Sequence, residues 1–488
     1  MDHSLGFNAI RQSLSKIPSD HDATGEHRPT VNEIYTPELH ASALDLNTPV
    51  VVGARGAGKS FWAGVLEQDD TRAVAAKSYP HLGLDRLVVR AGYTGFATEG
   101  VVSPKTIDAR VPNGEEENLA FDFWQAVIIR AARSVFADEN SSVKQIMQEF
   151  SDPEDAQLEF KILDKKIAES DKILLVSFDA LDTLSKDWKR STLLLDALFE
   201  VIWSLRVRRA IRAKIFIRPE QLNDESLRFI EMPKLRSSCV ELSWSQVELY
   251  GLLFWRLIQT SSLTTTKAIN DLALLAGVPK FDGKVNSLRN WPLIRAKDSQ
   301  QFVMEQMAGP YMGRSSKKGG TYDWPYNHLA DAKGKVTPRS FIKLFVEAAK
   351  HEPMVEGQVI SAEGIRHGLR EASKVRVEQL VIEYKWIKRA LAPLAGLTVP
   401  CTVDAIYERW SVSNTINIIL AASENEDSGF MPPFPIKTRR SHDELLIEAM
   451  EKIGVFSFRV DGRIDIPDLF RVAARMLKKG GTTPTKSK

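Results

Sequence analysis

The chain has 488 residues, 43% of them hydrophobic and 26% charged, with a formal net charge of +2. That length exceeds one compact domain and, at about 100–200 residues per domain, implies about three. The near balance of charge excludes polyanion binding by bulk charge, so any nucleic-acid contact has to come from a local patch. The two cysteines, Cys239 and Cys401, stand far apart and outside any C-x-x-C pair. A disulfide framework or thiolate zinc site is therefore not expected, and both read as small buried apolar side chains in a cytoplasmic protein. The N-terminal residues lack the long apolar core of a signal peptide, and no run of about 18 apolar residues predicts a membrane span.

Residues 1–30, broken by Pro18, Gly25 and Pro29, read as a loosely held arm with one short helix, Asn8 to Lys16. In residues 31–48, Tyr35 and His40 are open to two readings, contact with a nucleotide base or plain packing. The stretch that follows, Val50 to Leu66, reads VVVGARGAGKSFWAGVL. A β-branched run, a G-x-x-x-x-G-K-S loop and an apolar pattern of helical spacing stand there in succession. This is the context that gives the loop pattern physical meaning. Gly53, Gly56 and Gly58 are expected to supply backbone angles that side chains forbid. The turn then points its N–H groups inward as a nest for anionic oxygens, at the positive end of a helix dipole. Gly53, Arg55, Gly56, Ala57, Gly58, Lys59, Ser60 and Phe61 are the candidate nucleotide contacts. Lys59 is expected on the β- and γ-phosphates of ATP, and Ser60 on Mg²⁺.

Farther along, Leu87 to Arg90 predicts a strand, residues 93–116 a loop, Glu115 to Phe136 an amphipathic helix, and residues 139–171 solvated acidic helices. Lys172 to Phe178 is an apolar run that ends in Asp179-Ala-Leu-Asp182. An apolar strand suits the middle of a parallel sheet, and an acid at its C-terminal end falls at the ligand-binding edge. Asp179 is the candidate for Mg²⁺, directly or through water, and Asp182 the candidate for orienting or deprotonating a water. A leucine-rich helix, Arg190 to Val207, ends in Arg206, Arg208, Arg209 and Arg212, read equally as a solvated basic end or a nucleic-acid contact. Ala213 to Arg218 predicts a further strand. Arg218 at its end is placed either as a γ-phosphate sensor or as a structural partner of Asp179 or Asp182.

Residues 239–260 predict a short strand and a Ser-capped helix, and 261–330 a helical lid with insertions. Thr337-Pro338-Arg339 reads as an N-cap, a first-turn proline and a cation that needs a partner, either a phosphate or a nearby carboxylate. Glu371 to Leu391 predicts a long helix, and residues 402–423 one or two more. Ser441 to Ile453 predicts a helix with Glu444 in a capping box, and Val455 to Ile466 a hairpin around Val460-Asp461-Gly462. Pro467 begins a last predicted helix reaching about Lys478. From Ile436 onward there are about 12 Lys/Arg against about 7 Asp/Glu, which permits anionic contacts through Arg439, Arg440, Arg459 and Arg463.

Together the GARGAGKS loop, the Asp179–Asp182 strand end, the strand ending in Arg218, Pro338-Arg339 and the terminal hairpin resemble bacterial P-loop ATPases of the AAA+/STAND grouping, whose layout origin-recognition ATPases share. The resemblance implies an α/β P-loop NTPase core with a parallel sheet, a helical lid and a C-terminal winged-helix-like module. The corresponding boundaries are an arm over 1–30, a core over 31–243, a lid over 244–370, a module over 371–480 and a disordered tail over 481–488. It implies a sensor role for Arg339, and Arg236 is a further candidate as an arginine acting on a neighbouring subunit. The resemblance also implies an oligomer or a protein partner and, by analogy with the grouping, a setting in anti-phage defence. Two departures stand out. The distance from Lys59 to Asp179 implies an inserted helical segment, and no Glu directly follows Asp179. The expectation is an ATP-binding, slowly hydrolysing switch. The alternatives are a DNA-binding protein that ATP regulates, or a scaffold that docks proteins.

Overall fold

A computed structural model describes residues 3–19, 28–96, 100–136, 141–185, 187–222, 227–284, 288–425, 430, 432–436 and 438–484. The chain forms two compact units, Asp22–Ser243 and the pair of segments Met1–His21 and Trp244–Lys488.

The Asp22–Ser243 unit is built on five strands, β1 (Val50–Val52), β2 (Leu87–Tyr93), β3 (Ile173–Phe178), β4 (Ile211–Ile217) and β5 (Val240–Glu241). They lie in the order β2-β3-β4-β1-β5, every pair parallel. Alternate residues of each strand serve opposite faces. Val51, Leu175 and Phe216 pack on one side with Trp62, Val65 and Leu66 of the loop helix. Val50, Val176, Phe178 and Ile215 pack on the other side with Phe123, Trp124, Leu194 and Leu198 of two long helices. Burial on both faces is why these strands read as continuous apolar runs. The insertion expected between the loop and Asp179 is the crossover from β2 to β3, which carries the helices Pro104–Arg110, Glu116–Arg133, Val143–Glu149 and Pro153–Glu169. The first of these stands where a loop was expected. Ser103 caps it, accepting from the Thr106 N–H, and Pro104 occupies its first turn.

The second unit is mainly helical. Its helix Pro338–Lys350 buries Phe341, Ile342, Leu344 and Phe345. The N-terminal segment, expected as a loose arm, contributes the helix His3–Ser15, whose Ile10 and Leu14 are fully buried. Ser13 Oγ lies 2.9 Å from Thr265 Oγ1. The described residues from 387 onward run helix, β6 (Thr398–Val399), helices Val403–Val412, Thr415–Asn425 and His442–Lys452, then β7 (Ser457–Phe458) and β8 (Ile464–Asp465). β7 and β8 form the antiparallel hairpin, and Cys401 just past β6 bridges to Ile464. This is a winged-helix-like order. Ser441 precedes its helix but makes no side-chain cap bond, so the expected capping box does not form.

The expected last helix is cut to Asp468–Arg471. Arg471 is fully buried, and its guanidinium binds Asp468 Oδ1 (2.6 Å), Met476 O and Thr482 O (both 2.9 Å). That pulls the chain back, so that β9 (Leu477–Lys478) pairs with β6. Thr482, within the expected disordered tail, is buried, and residues 485–488 lie outside the described residues. Among the described residues no helix is long and apolar enough to cross a membrane.

Candidate functional site: a phosphate loop at the sheet edge

The loop leaves β1 at Gly53, whose N–H donates to Ile217 O at 3.0 Å, and enters the helix Lys59–Glu67 through Gly58. Gly56 (φ 80°) and Gly58 (φ 107°) adopt left-handed backbone that side chains resist. Gly53 differs from the expectation, since its φ is not positive. A Cβ there would lie 3.2 Å from Lys59 Cγ and 3.3 Å from Ala57 Cβ, so close approach is what that position demands. Ala57 is buried, and its N–H donates to Ala54 O at 3.1 Å. Phe61 meets Trp62 edge-on, and Arg55 is half-buried. Lys59 Nζ donates to Gly53 O (2.7 Å) and Ala54 O (3.1 Å), which uses two of its three N–H donors on the loop itself. Burial pushes the Lys59 ammonium below its ordinary range, and the nearby Asp179 opposes that shift.

β4 lies between β1 and β3, so the end of β4 stands between the loop and Asp179. Asp179 is buried, and its N–H donates to Tyr93 O at 2.9 Å. Burial raises its carboxyl above the usual range, while hydrogen bonds from the Ser60 hydroxyl and the Ala180 N–H pull the other way. The Ser60 hydroxyl thus stands close enough to Asp179 to act on its carboxyl. A hydroxyl and a carboxylate are hard oxygen donors, and this pair fits Mg²⁺. With a nucleotide present, the ion would neutralise charge on the β- and γ-phosphates.

Asp182 stands on a single 3₁₀ turn, Leu181–Thr183, with its side chain 39% exposed. Arg218, at the end of β4, binds it with Nη2 to Oδ2 at 2.6 Å and lies 3.8 Å from Glu220. Of the two carboxylates named for Arg218, the one it meets is Asp182. Asp182 also lies within electrostatic range of both Lys59 and Asp179. The structure therefore brings the loop, Ser60, Asp179, Asp182 and Arg218 to one edge of one sheet. Arg339 belongs to the other unit, in the first turn of Pro338–Lys350 behind its Thr337 cap. Arg236 Nε donates to Leu222 O at 3.0 Å, which ties the helix Met232–Ser237 to the end of the helix Pro219–Leu222.

His40 is fully buried. Trp62 Nε1 donates to its Nδ1 at 2.9 Å, so Nε2 carries the proton and donates to Ser243 O at 3.0 Å. Burial lowers its pKa to about 4. His40 is a packing residue that ties the loop helix to the end of the unit, and Tyr35 is likewise buried. Three further groups escaped the sequence reading. Lys214, mid-strand in β4 and fully buried, donates to Ala43 O (2.9 Å), Asp45 O (2.9 Å) and Thr48 O (2.6 Å), ordering the approach to β1. A lone lysine inside an apolar strand was its only signal. The other two, Tyr93 and Thr183, join the ends of β2 and β3 through hydroxyls 2.8 Å apart. Nothing in the spacing of those two residues predicts that contact.

No protein-family model matches this chain, and no curated protein matches it. Among solved structures, the Aeropyrum pernix ORC2 protein (ADPNP–ADP complexes) is similar at 13% identity, over 93% of this chain and 94% of that one, with a TM-score of 0.32. The Aeropyrum pernix ORC1 protein in complex with DNA is similar at 14% identity, over 94% and 88%, also with a TM-score of 0.32. Likeness of that size assigns no residue a role. The topology and the loop define a P-loop nucleotide-binding core from this chain's own residues.

Proposed function

We propose that this chain binds ATP with Mg²⁺ at the Gly53–Phe61 loop, hydrolyses it, and uses the nucleotide state to govern assembly with partners. The observation that carries the reading is the glycine loop with Lys59 folded onto Gly53 O and Ala54 O, with Asp179 and the Asp182–Arg218 pair at the same sheet edge. In this reading the loop N–H groups and Lys59 take the phosphates, and Ser60 and Asp179 hold the metal. Arg218 leaves Asp182 for the terminal phosphate, and Asp182 orients the attacking water. Arg339 keeps the sensor role that the resemblance implies. Most of the catalytic work in such a site is positioning and charge stabilisation.

Replacing Lys59 by Ala tests it. Wild-type protein should bind ATP in the presence of Mg²⁺ and turn it over, and K59A should lose binding or lower turnover by about 100-fold or more. Equal binding and turnover in the two proteins, measured by calorimetry and phosphate release, would refute the assignment.

A further inference from the structure

No carboxylate follows Asp179 directly; the next residue is Ala180 and the next acid is Asp182. How Asp182 reaches the site is written in the turn between them. Ala180 has φ 54° and ψ 34°, a left-handed conformation that a residue with a Cβ adopts only when its surroundings impose it. Leu181 then drops into the core at 1% exposure, and the single 3₁₀ turn leaves Asp182 on the open side, against Arg218.

The imposing groups are identifiable. Thr183 folds back on Ala180, with its N–H 2.9 Å and its Oγ1 2.7 Å from Ala180 O. That bond uses the only hydroxyl proton of Thr183. The 2.8 Å contact with Tyr93 is therefore one in which the Tyr93 hydroxyl donates to Thr183 Oγ1. Tyr93 O also accepts from the Asp179 N–H at 2.9 Å. One residue of β2 thus holds both ends of the segment Asp179–Thr183. Gly95 closes the packing: a Cβ there would lie 2.9 Å from Thr183 Oγ1 and 3.1 Å from Ala180 Cβ. Tyr93 itself is fully buried, edge-on to Trp124.

We propose that Tyr93 and Thr183 are positioning residues that hold the left-handed turn at Ala180, so that Asp182 serves as the water-orienting carboxylate which the residue after Asp179 does not supply. The proposal rests on the ATPase reading above. In the step served, the water oxygen forms a bond to the terminal phosphorus. The bond from that phosphorus to the β–γ bridging oxygen breaks, and its electron pair leaves with ADP. Asp182 takes the proton that the water loses and returns it to solvent or to the released phosphate. Tyr93 and Thr183 exchange no proton with substrate; they act through the placement of Asp182.

The test measures kcat, KM and ATP affinity for Tyr93→Phe, Thr183→Val, Thr183→Ser and Asp182→Asn in the full chain. Y93F and T183V are expected to lower kcat by about 10- to 100-fold with ATP affinity unchanged, the size of effect that a misplacement of about 1 Å produces. T183S keeps the hydroxyl and is expected to retain most of the activity. The deciding measurement is Y93F combined with D182N, which should be no slower than D182N alone. Unchanged turnover in Y93F and T183V overturns the proposal. So does a Y93F effect that persists undiminished in D182N, since that marks a structural role only. Wild-type protein that binds ATP without turnover overturns this assignment while leaving the nucleotide site standing. Wild-type protein that binds no ATP refutes the underlying reading instead.

Discussion

His40 is a neutral imidazole wedged between a donor and an acceptor, with Trp62 N–H pointing at Nδ1 and Ser243 O taking Nε2–H. A second proton has no place, because Nδ1 would then face another donor. The pKa accordingly falls from 6.5 to about 4 in the fold. Between those values the unfolded chain binds the extra proton and the folded chain does not, so stability is present above pH 6.5 and declines as pH falls toward 4. The loss from this residue amounts to up to about 3 kcal/mol at full effect. Urea unfolding of the full chain at steps from pH 7 to pH 4.5 should show the decline. His40→Phe, weaker at neutral pH, should show a shallower one. Equal pH slopes in the two proteins would contradict the account.

At the scale of elements, the loop, its flanking strand and helix, and the strand ending in Asp179 were legible because each is a local pattern of adjacent residues. The strand order was not. That β4 runs between β1 and β3, and so carries Arg218 to Asp182, depends on pairings between segments far apart in sequence. The Tyr93–Thr183 bond spans 90 residues and is invisible for the same reason. The short final helix was misread because apolar spacing continues past Arg471, whereas the buried guanidinium collects carbonyls that a continuing helix would withhold. The hairpin shows the limit of counting charge. Arg463 binds Asp461 through Nε (2.9 Å) and Nη2 (2.6 Å), and Arg459 lies 3.8 Å from Asp465. Arg440 is paired with Glu448 at 3.2 Å through Nη1. The helix just before the hairpin, HDELLIEAMEK, carries four acids and one lysine. A hairpin neutral by its own pairs offers little net charge to a phosphate backbone. Arg459→Ala with Arg463→Ala should therefore leave duplex-DNA affinity, read by fluorescence anisotropy at low salt, within about two-fold. A loss of ten-fold or more, with the salt slope reduced by about 2, would show instead that the pairs open onto phosphates.

At the scale of the molecule, every residue of the phosphate site lies in the Asp22–Ser243 unit and Arg339 lies in the other. The last residue of the first unit, Ser243, is tied through His40 to Trp62 on the loop helix. Two residues on, Ser245 opens the second unit's helix Gln246–Thr260 with a capping box closed by Glu248. Each unit thus orders its own side of residues 243–245 with bonds of its own. If Arg339 engages the terminal phosphate, it contributes to the difference between ATP and ADP states more than to affinity. A ligand shifts an equilibrium only by its differential affinity for the two states. Arg339→Ala should therefore bind ATP within about three-fold of wild type, yet lose any difference between ATP and ADP in resistance to limited proteolysis. Lys59→Ala should lose binding and that difference together. A difference between ATP and ADP that persists in R339A would remove Arg339 from the switch.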